Sequence, residues 1–147
     1  MTEGMQKIMV TGHFDPIHED HVSYFEDALR YDGFIICLLA TDEQAIAKKG
    51  HINIPATFRQ NIVRLILTGM GARHCVVFNI WDQTNDTLAG ALKFWRPDVL
   101  LRGKDKTSDD MPVGDGELCD QLGIAVHYSK GVAHTHGRTM KWDKEVL

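Results

Sequence analysis

Short apolar segments alternate with amphipathic helical segments along most of the chain, and this alternation constrains the fold more than any other feature. Five segments have the length and apolar content of strands: residues 7–12, 33–40, 74–80, 98–102 and 124–129. The second is apolar on both faces, as in a strand that helices cover from each side. Segments with three-to-four-residue apolar spacing lie between the strands. The pattern predicts an α/β fold with a parallel sheet of about five strands, right-handed crossovers and helices on both faces.

The chain's size and charge narrow the classes of function. It has 147 residues, of which 44% are hydrophobic, enough for one domain with its own core. No internal repeat or linker divides it, so we predict a single domain over residues 1–147. The formal net charge is −4, whereas a protein that binds nucleic acid through its phosphates usually has an excess of cations. We therefore expect no nucleic-acid partner.

The location of the protein is predicted from apolar runs and cysteines. The longest fully apolar run covers residues 34–40, which is too short to cross a bilayer. No charged start followed by an apolar stretch marks a secretion signal. The cysteines, Cys37, Cys75 and Cys119, are odd in number and widely separated, which is typical of buried thiols in a reducing compartment. We expect a cytoplasmic protein without a membrane partner.

The junction after the first strand carries the strongest chemical pattern. In open parallel sheets, ligands bind at the carboxyl ends of the strands. His18 and His21 are three residues apart, so a helix that begins there puts both imidazoles on one face of its first turn. The free N–H groups and the dipole of such a helix end attract anions, and imidazoles donate hydrogen bonds to phosphate oxygens. The same pattern also fits two surface histidines at a helix start, with Asp20 favourable in the first turn.

The residues of this junction carry a resemblance to a known family. Gly12, Phe14, Asp15, His18 and His21 resemble the Gly-x-Phe-Asp-x-x-His-x-Gly-His region of the nucleotidyltransferase superfamily. The chain is similar in particular to its cytidylyltransferase-like members, which include glycerol-3-phosphate cytidylyltransferase and the nucleotidyltransferase domain of ADP-heptose synthase. The resemblance implies a Rossmann-like fold. It also implies a nucleoside triphosphate and a small phosphorylated acceptor as binding partners, and it allows a homodimer.

Later segments extend the resemblance in the right order. They are Ala40-Thr-Asp-Glu43, Lys49-Gly50, Phe58-Arg59, and Arg96-Pro-Asp-Val-Leu-Leu-Arg-Gly-Lys-Asp105, the last similar to the family's Pro-Asp-x-x-x-x-Gly-x-Asp segment. Near the carboxyl terminus the family has a Gly-Ile-Ser-Ser/Thr-Thr-x-Ile-Arg/Lys helix start that holds the triphosphate. Residues 131–138 match it at Gly131, Thr135 and Arg138, whereas Ala133 and His134 replace its hydroxyls.

Two departures lie in the first motif. His13 stands where the family has Thr, Ser or Cys, and Asp20 replaces the glycine between the histidines. A carboxylate ~5 Å from one phosphate charge costs about 3 kcal/mol at an effective dielectric constant of ~20. We therefore expect the Asp20 side chain to point away from the nucleotide or a Mg²⁺ ion to lie between them. The third alternative is a site that no longer binds well.

The resemblance implies a role for each matching residue. His18, His21 and Lys49 are the predicted catalytic residues: the histidines hold the triphosphate, and Lys49 reaches the α-phosphate or the incoming phosphate. Mg²⁺ is expected with the nucleotide, and no separate metal centre is predicted. Asp15 is expected to orient the junction or help hold Mg²⁺, and Arg138 to grip the β and γ phosphates. The predicted nucleotide-binding residues are Gly12, His13, Phe14, Asp15, Asp20, Arg59, Arg102, Gly103, Asp105, Thr135 and Arg138.

The leading hypothesis is a nucleotidyltransferase that uses CTP or ATP and a small phosphorylated sugar or polyol. A coenzyme-type adenylyltransferase and a non-catalytic nucleotide-binding module remain alternatives. Taken alone, Lys49 also fits a solvated helix end, Arg59 a surface residue, and residues 102–106 a solvated turn. Two further groups of residues have other possible roles. His127, His134 and His136 fit a zinc site poorly, and Trp81, Trp95 and Trp142 are better explained by packing than by base stacking.

Overall fold

A computed structural model describes residues 4–84 and 86–130. Its strands are β1 (Lys7–Gly12), β2 (Phe34–Leu39), β3 (Arg73–Phe78), β4 (Val99–Arg102) and β5 (Ala125–Tyr128). Its helices are α1 (Glu19–Leu29), α2 (Asp42–Lys49), α3 (Ala56–Gly69), α4 (Ala89–Trp95) and α5 (Asp115–Leu122), and a 3-10 turn covers Ser108–Asp110. All strand pairs are parallel, in the order β3-β2-β1-β4-β5. The predicted Rossmann-like α/β class with five parallel strands is confirmed.

Helices cover both faces of the sheet, as the apolar strand patterns predict. On one face, Phe25 of α1 and Val63 of α3 pack against alternate residues of β1 and β2. On the other, Leu92 of α4 and Cys119 of α5 pack against the residues between them, such as Met9. Burial on two faces explains why the central strands are continuous apolar runs.

Hydrophobic periodicity did not predict helix α2; only the lysine at its end suggested a helix there. Its only buried residues are Gln44 and Ala45, so it carries no apolar stripe. Its start is set by a capping box, in which the Thr41 hydroxyl accepts from the Gln44 N–H at 3.1 Å and the Gln44 side chain accepts from the Thr41 N–H at 3.0 Å. Gly50 ends it with a φ of 86°, a conformation that glycine adopts without strain.

The sheet opens between β1 and β4, where the direction in which strands are added to the sheet reverses. The two strands pair only at Ile8 with Val99 and at Met9 with Leu100. Beyond that point the buried Tyr24 hydroxyl lies between them, accepting from the Thr11 N–H at 3.1 Å and donating to the Leu101 carbonyl. A side chain thus replaces the next main-chain contact. This is the topological switch point at which ligands bind in such sheets.

The tract 103–116 is mostly irregular but includes the 3-10 turn and the first two residues of α5. The predicted thiols are free: Cys37 and Cys119 are buried and Cys75 is half-buried. Among residues 4–84 and 86–130, no helix has the length and apolar character needed to cross a membrane.

Candidate active site

A cleft of about 850 Å³ opens at the carboxyl ends of the strands, over the switch point. Its walls come from the ends of β1, β2 and β4, the first turns of α1 and the loop that precedes α5. The lining residues are Thr11, Gly12, His13, His18, Asp20, His21, Tyr24, Leu38, Ala40, Lys48, Asn79, Asp86, Leu88, Arg102, Gly103, Lys104, Asp105, Lys106, Asp110, Met111, Pro112, Val113 and Ser129. A cleft of this size and position can hold a nucleotide.

The cleft brings together most of the predicted site residues that the structure describes. Those on its wall are Gly12, His13, His18, Asp20, His21, Arg102, Gly103 and Asp105. Within the same described part of the chain, Phe14, Asp15, Lys49 and Arg59 are not among the lining residues. Thr135 and Arg138 lie outside the described residues, as do His134, His136 and Trp142.

The two histidines form a stacked pair at the start of α1. Their ring centroids are 4.0 Å apart, with 27° between the ring planes. His18 is the N-cap: its Nδ1 accepts from the Asp20 N–H at 3.3 Å, and the His18 N–H donates to Nδ1 of His21 at 3.1 Å. Because Nδ1 of each ring accepts a backbone hydrogen bond, a neutral ring carries its proton on Nε2. The capping contacts therefore leave each ring one Nε2–H donor.

His21 is neutral at physiological pH. Burial, together with the neighbouring His18, lowers its pKa to about 4, although Asp20 and Asp105 oppose that shift. Its ring packs edge-on against the buried Phe14, with centroids 4.8 Å apart. Phe14 is buried and supports the histidine from beneath the cleft wall, and its predicted part in nucleotide binding stays a prediction.

Asp15 is a structural anchor beneath the junction. Its carboxylate is fully buried and accepts from the Asn53 N–H at 2.8 Å, the Ile54 N–H at 2.7 Å and Lys49 Nζ at 3.2 Å. Burial alone would raise the pKa of this carboxyl, but those donors outweigh it and hold the pKa below its ordinary value. These protein contacts favour the predicted role of orienting the junction. The predicted contact of Asp15 with nucleotide or Mg²⁺ stays a prediction.

The cleft-facing lysine of α2 is Lys48, not Lys49. Lys49 donates to both the main-chain carbonyl and the carboxylate of Asp15, at 3.3 and 3.2 Å. Lys48 lies on the cleft wall. The phosphate-binding role predicted for Lys49 stays a prediction, and Lys48 is the lysine of α2 that lines the cleft.

Arg59 is a buried residue that holds several main-chain segments together. It is 1% exposed, and its guanidinium donates to the carbonyls of His13 at 2.7 Å, Ala40 at 3.0 Å and Ile54 at 2.8 Å. It also forms a 2.7 Å ion pair with Asp42. The guanidinium therefore joins the ends of β1 and β2 to the starts of α2 and α3. The burial of Arg59 contradicts the alternative of a surface residue, and its predicted nucleotide contact stays a prediction.

Asp20 meets a partner that the sequence motif does not contain. Its carboxylate lies 3.4 Å from Nζ of Lys104, which comes from the loop after β4. Both residues line the cleft, and the negative charge of Asp20 lies beside a cation there. How Asp20 is oriented toward a bound nucleotide stays a prediction.

The loop that carries Lys104 is held by Arg102. The Arg102 guanidinium donates to the carbonyls of Thr107 at 2.8 Å and Asp110 at 3.2 Å, and it stacks 5.7 Å above the Tyr128 ring. At Gly103, a Cβ would lie 3.0 Å from the Asp105 carboxylate. This loop thus needs Arg102 for support as well as for the positive charge that it adds to the cleft.

His13 differs in character from the hydroxyl residue that the family has there. Burial, followed by the charges of Lys49, Lys48 and Arg59, lowers its pKa to about 4. The ring is therefore neutral at physiological pH and serves as a hydrogen-bonding group on the cleft wall. The backbone carbonyl of His13 accepts a hydrogen bond from Arg59, which fixes the position of His13 on the cleft wall.

The alternative roles of other residues find no support in the described part of the chain. There, no group of three or more His, Cys, Asp or Glu side chains could hold a metal ion, and His127 instead hydrogen-bonds to the Tyr31 hydroxyl at 2.6 Å. Trp81 stacks on Phe94 and packs edge-on against Trp95. The packing role predicted for these two tryptophans is confirmed.

Sequence reasoning gave no site role to five residues that line the cleft: Tyr24, Lys48, Asn79, Lys104 and Lys106. A signal existed for Tyr24, since it lies three residues after His21 and so on the same face of α1. For Asn79 the signal was a polar residue at the end of a predicted strand.

Comparison with known proteins decides the family. The cytidylyltransferase-like family model matches residues 9–130. The chain belongs to the cytidylyltransferase-like family. This cytidylyltransferase-like domain is a nucleotidyltransferase domain, and the resemblance inferred from the first motif is confirmed.

Curated relatives of this cytidylyltransferase-like domain fall into two groups. A bifunctional protein HldE from Magnetococcus marinus is 31% identical over 113 residues, covering 77% of this chain but 22% of that protein. An FAD synthase from Methanohalophilus mahii is 27% identical over 111 residues, covering 76% of this chain and 72% of that protein. The chain thus spans about a fifth of the length of its HldE relatives.

Solved structures share the fold. A protein of unknown function from Archaeoglobus fulgidus superposes with a TM-score of 0.65 at 19% identity, covering 86% of this chain and 91% of that one. A lipopolysaccharide core biosynthesis protein from Thermoplasma volcanium gives 0.61 at 23% identity, covering 85% and 94%.

Proposed function

We propose that this chain transfers a nucleoside monophosphate from CTP or ATP to a small phosphorylated sugar or polyol, with release of pyrophosphate. One observation carries the proposal. The stacked pair of His18 and His21, with Nδ1 of both rings used in capping α1, provides two Nε2–H donors at the positive end of a helix and on the wall of a nucleotide-sized cleft.

The reaction requires that the two substrates be positioned and that the negative charge on their phosphates be neutralised. A phosphate oxygen of the acceptor attacks the α-phosphorus, a new P–O bond forms, and the bond to the bridging oxygen breaks as pyrophosphate leaves with its electrons. The attacking phosphate is already ionised, so no general base is required. A neutral His21, with its pKa lowered to about 4, donates a hydrogen bond to the growing charge without giving up its proton.

Cations around the cleft suit the polyanionic substrates. Lys48, Arg102, Lys104 and Lys106 line it. We assign Lys48 to the acceptor phosphate or the α-phosphate, because it lines the cleft while Lys49 is tied to Asp15.

Mg²⁺ is proposed to enter with the triphosphate. The ion usually binds one or two carboxylates together with phosphate oxygens. Asp105 provides a carboxylate on the cleft wall. It lies near His21, because its charge opposes the lowering of the His21 pKa. Asp105 would hold the ion, which would neutralise charge on the phosphates. The alternative role for Asp105 is the nucleoside contact that the family resemblance implies.

A second candidate function is adenylyl transfer to the phosphate of a cofactor precursor. It is favoured by the FAD synthase relatives, because the alignment covers 72% of the Methanohalophilus mahii protein and therefore most of a complete enzyme. The same cleft and histidine pair would serve both reactions. Only the acceptor differs.

The test is pyrophosphate release with each of the four common nucleoside triphosphates and Mg²⁺. Acceptors are a panel of sugar and polyol phosphates and, for the second candidate, riboflavin phosphate. Turnover with a sugar or polyol phosphate supports the leading proposal, and turnover with riboflavin phosphate alone supports the second. Nucleotide binding without turnover on any acceptor would identify a non-catalytic module and contradict both.

A matched pair of variants tests the histidine assignment. His18→Ala should lower turnover about a hundredfold, comparable to the loss of one transition-state donor. His51→Ala is the control, because His51 is exposed and, among the described residues, is not one that lines the cleft. Equal rates for the two variants would remove His18 from the mechanism.

A homodimer, a cytoplasmic location and the lack of a nucleic-acid partner are retained as predictions. Size-exclusion chromatography with light scattering tests the first. Fractionation of the source cells tests the second, and a filter-binding assay with duplex DNA and RNA tests the third.

A further inference from the structure

The Asp20–Lys104 pair introduces two opposite charges beside the histidines. Asp20 lies in the first turn of α1, between His18 and His21. A carboxylate there is favourable for the helix dipole but unfavourable for a triphosphate in the same place. Lys104, 84 positions along the chain, brings its ammonium to 3.4 Å from that carboxylate.

The pair is accessible from the cleft and adds little to stability. The side chains of Lys104 and Asp20 are 33% and 43% exposed, and ion pairs this exposed contribute little to folding. Both residues line the cleft. An ammonium has three N–H donors, so a contact with a carboxylate and a contact with a phosphate oxygen are compatible.

We propose that Lys104 binds the triphosphate and that Asp20 is the positioning residue that holds it over the histidine pair. This inference rests on the proposed function and adds a residue to its nucleotide site. Asp20 brings the lysine to the triphosphate, and Lys104 offsets the repulsion that Asp20 would otherwise exert. The Arg102 contacts to Thr107 and Asp110 support the loop in this position.

A double-mutant cycle tests the coupling. The dissociation constants of CTP and ATP with Mg²⁺ are measured by titration calorimetry, without acceptor, for the parent, Lys104→Met, Asp20→Asn and the double variant. Lys104→Met should weaken binding about tenfold in the parent, because the cation is lost and the carboxylate stands uncompensated. In the Asp20→Asn background the same change should weaken binding less than about threefold.

Lys106→Met is the matched control. Lys106 belongs to the same loop and also lines the cleft, but in the described part of the chain the ion pair with Asp20 is made by Lys104 and not by Lys106. Its effect should be the same factor with Asp20 or Asn at position 20. The melting temperatures of all variants should lie within about 2 °C of the parent, as expected for exposed charges.

Each outcome has one interpretation. An equal loss from Lys104→Met in both backgrounds overturns the positioning role, and no loss in the parent overturns the whole inference. A loss of binding that follows a fall in melting temperature means a structural role and also overturns it. If the parent binds neither nucleotide, the proposed function itself fails, which is distinct from failure of this pair.

Discussion

Replacing Asp15 by Asn tests whether the candidate site is held in place by one buried carboxylate. The change keeps the size and shape of the side chain, so it opens no cavity. It places an NH₂ group where an oxygen now accepts from Asn53 or Ile54, at 2.8 and 2.7 Å. One buried backbone N–H then loses its acceptor, and Lys49 loses its carboxylate.

The size of the effect follows from the hydrogen bonds that the substitution removes. A hydrogen bond to a charged group contributes about 1.5–3 kcal/mol, and an unpaired buried donor costs about 1–3 kcal/mol. Lys49 is 27% exposed and can turn to water, so its unpaired charge adds little. We expect the free energy of unfolding to fall by about 3 kcal/mol and the melting temperature by about 6–12 °C for a domain of this size.

The effect should depend on pH. Because the folded-state pKa of Asp15 is held below its ordinary value, the carboxylate stabilises the fold above the unfolded-state pKa of about 3.9, and that contribution is lost as the pH falls through the folded-state pKa. The parent and the Asn variant should therefore differ most near pH 7. Their difference should narrow below about pH 4.

Urea unfolding followed by circular dichroism, from about pH 3 to about pH 7, measures both quantities. Asp109→Asn is the matched control, because Asp109 is exposed and the substitution is the same. It should change stability by less than about 0.5 kcal/mol. A loss below about 1 kcal/mol for Asp15→Asn, or a difference that persists unchanged in acid, would refute the reasoning.

Three further predictions concern other residues of the site. Arg59→Lys should lower the free energy of unfolding, measured in urea, by about 3 kcal/mol, because an ammonium cannot donate to all three buried carbonyls in the geometry of the guanidinium. A loss within experimental error would contradict the structural role of Arg59. Tyr24→Phe should cost about 2 kcal/mol and speed hydrogen exchange at the Thr11 amide, which loses its acceptor; unchanged exchange would be the contrary result. In an NMR titration His21 should have its midpoint near pH 4 rather than 6.5. Since the folded state then binds fewer protons than the unfolded state, stability should rise with pH between those values, and a midpoint at 6.5 would contradict its burial.

The strands were predictable because a strand buried on both faces is a continuous apolar run in the sequence. The predicted segment 74–80 corresponds to β3 at Arg73–Phe78, and 124–129 to β5 at Ala125–Tyr128. Helix α2 has no apolar pattern of this kind, because it buries only Gln44 and Ala45. Its signal was the capping pair of Thr41 and Gln44, which depends on two side chains and not on a repeating pattern.

The geometry of the site was predictable from residue spacing only where its residues are neighbours in sequence. His18 and His21 share a helix turn, so their spacing determines their geometry. Which of two consecutive lysines faces the cleft depends instead on the buried carboxylate of Asp15, far away in the chain. The partner of Asp20 likewise lies 84 positions away, and no local rule connects them.

His18 is the N-cap of α1, and the residue type that best stabilises this cap differs from the one that can donate to a ligand. Histidine is a poor choice for an N-cap by statistics, since Ser, Thr, Asp and Asn serve better there. At position 18 one ring nitrogen serves the cap and the other is left for the ligand. Selection for thermostability would thus tend to replace this histidine, and a more stable descendant with serine there would keep the helix cap while losing the Nε2–H donor that we propose for phosphate.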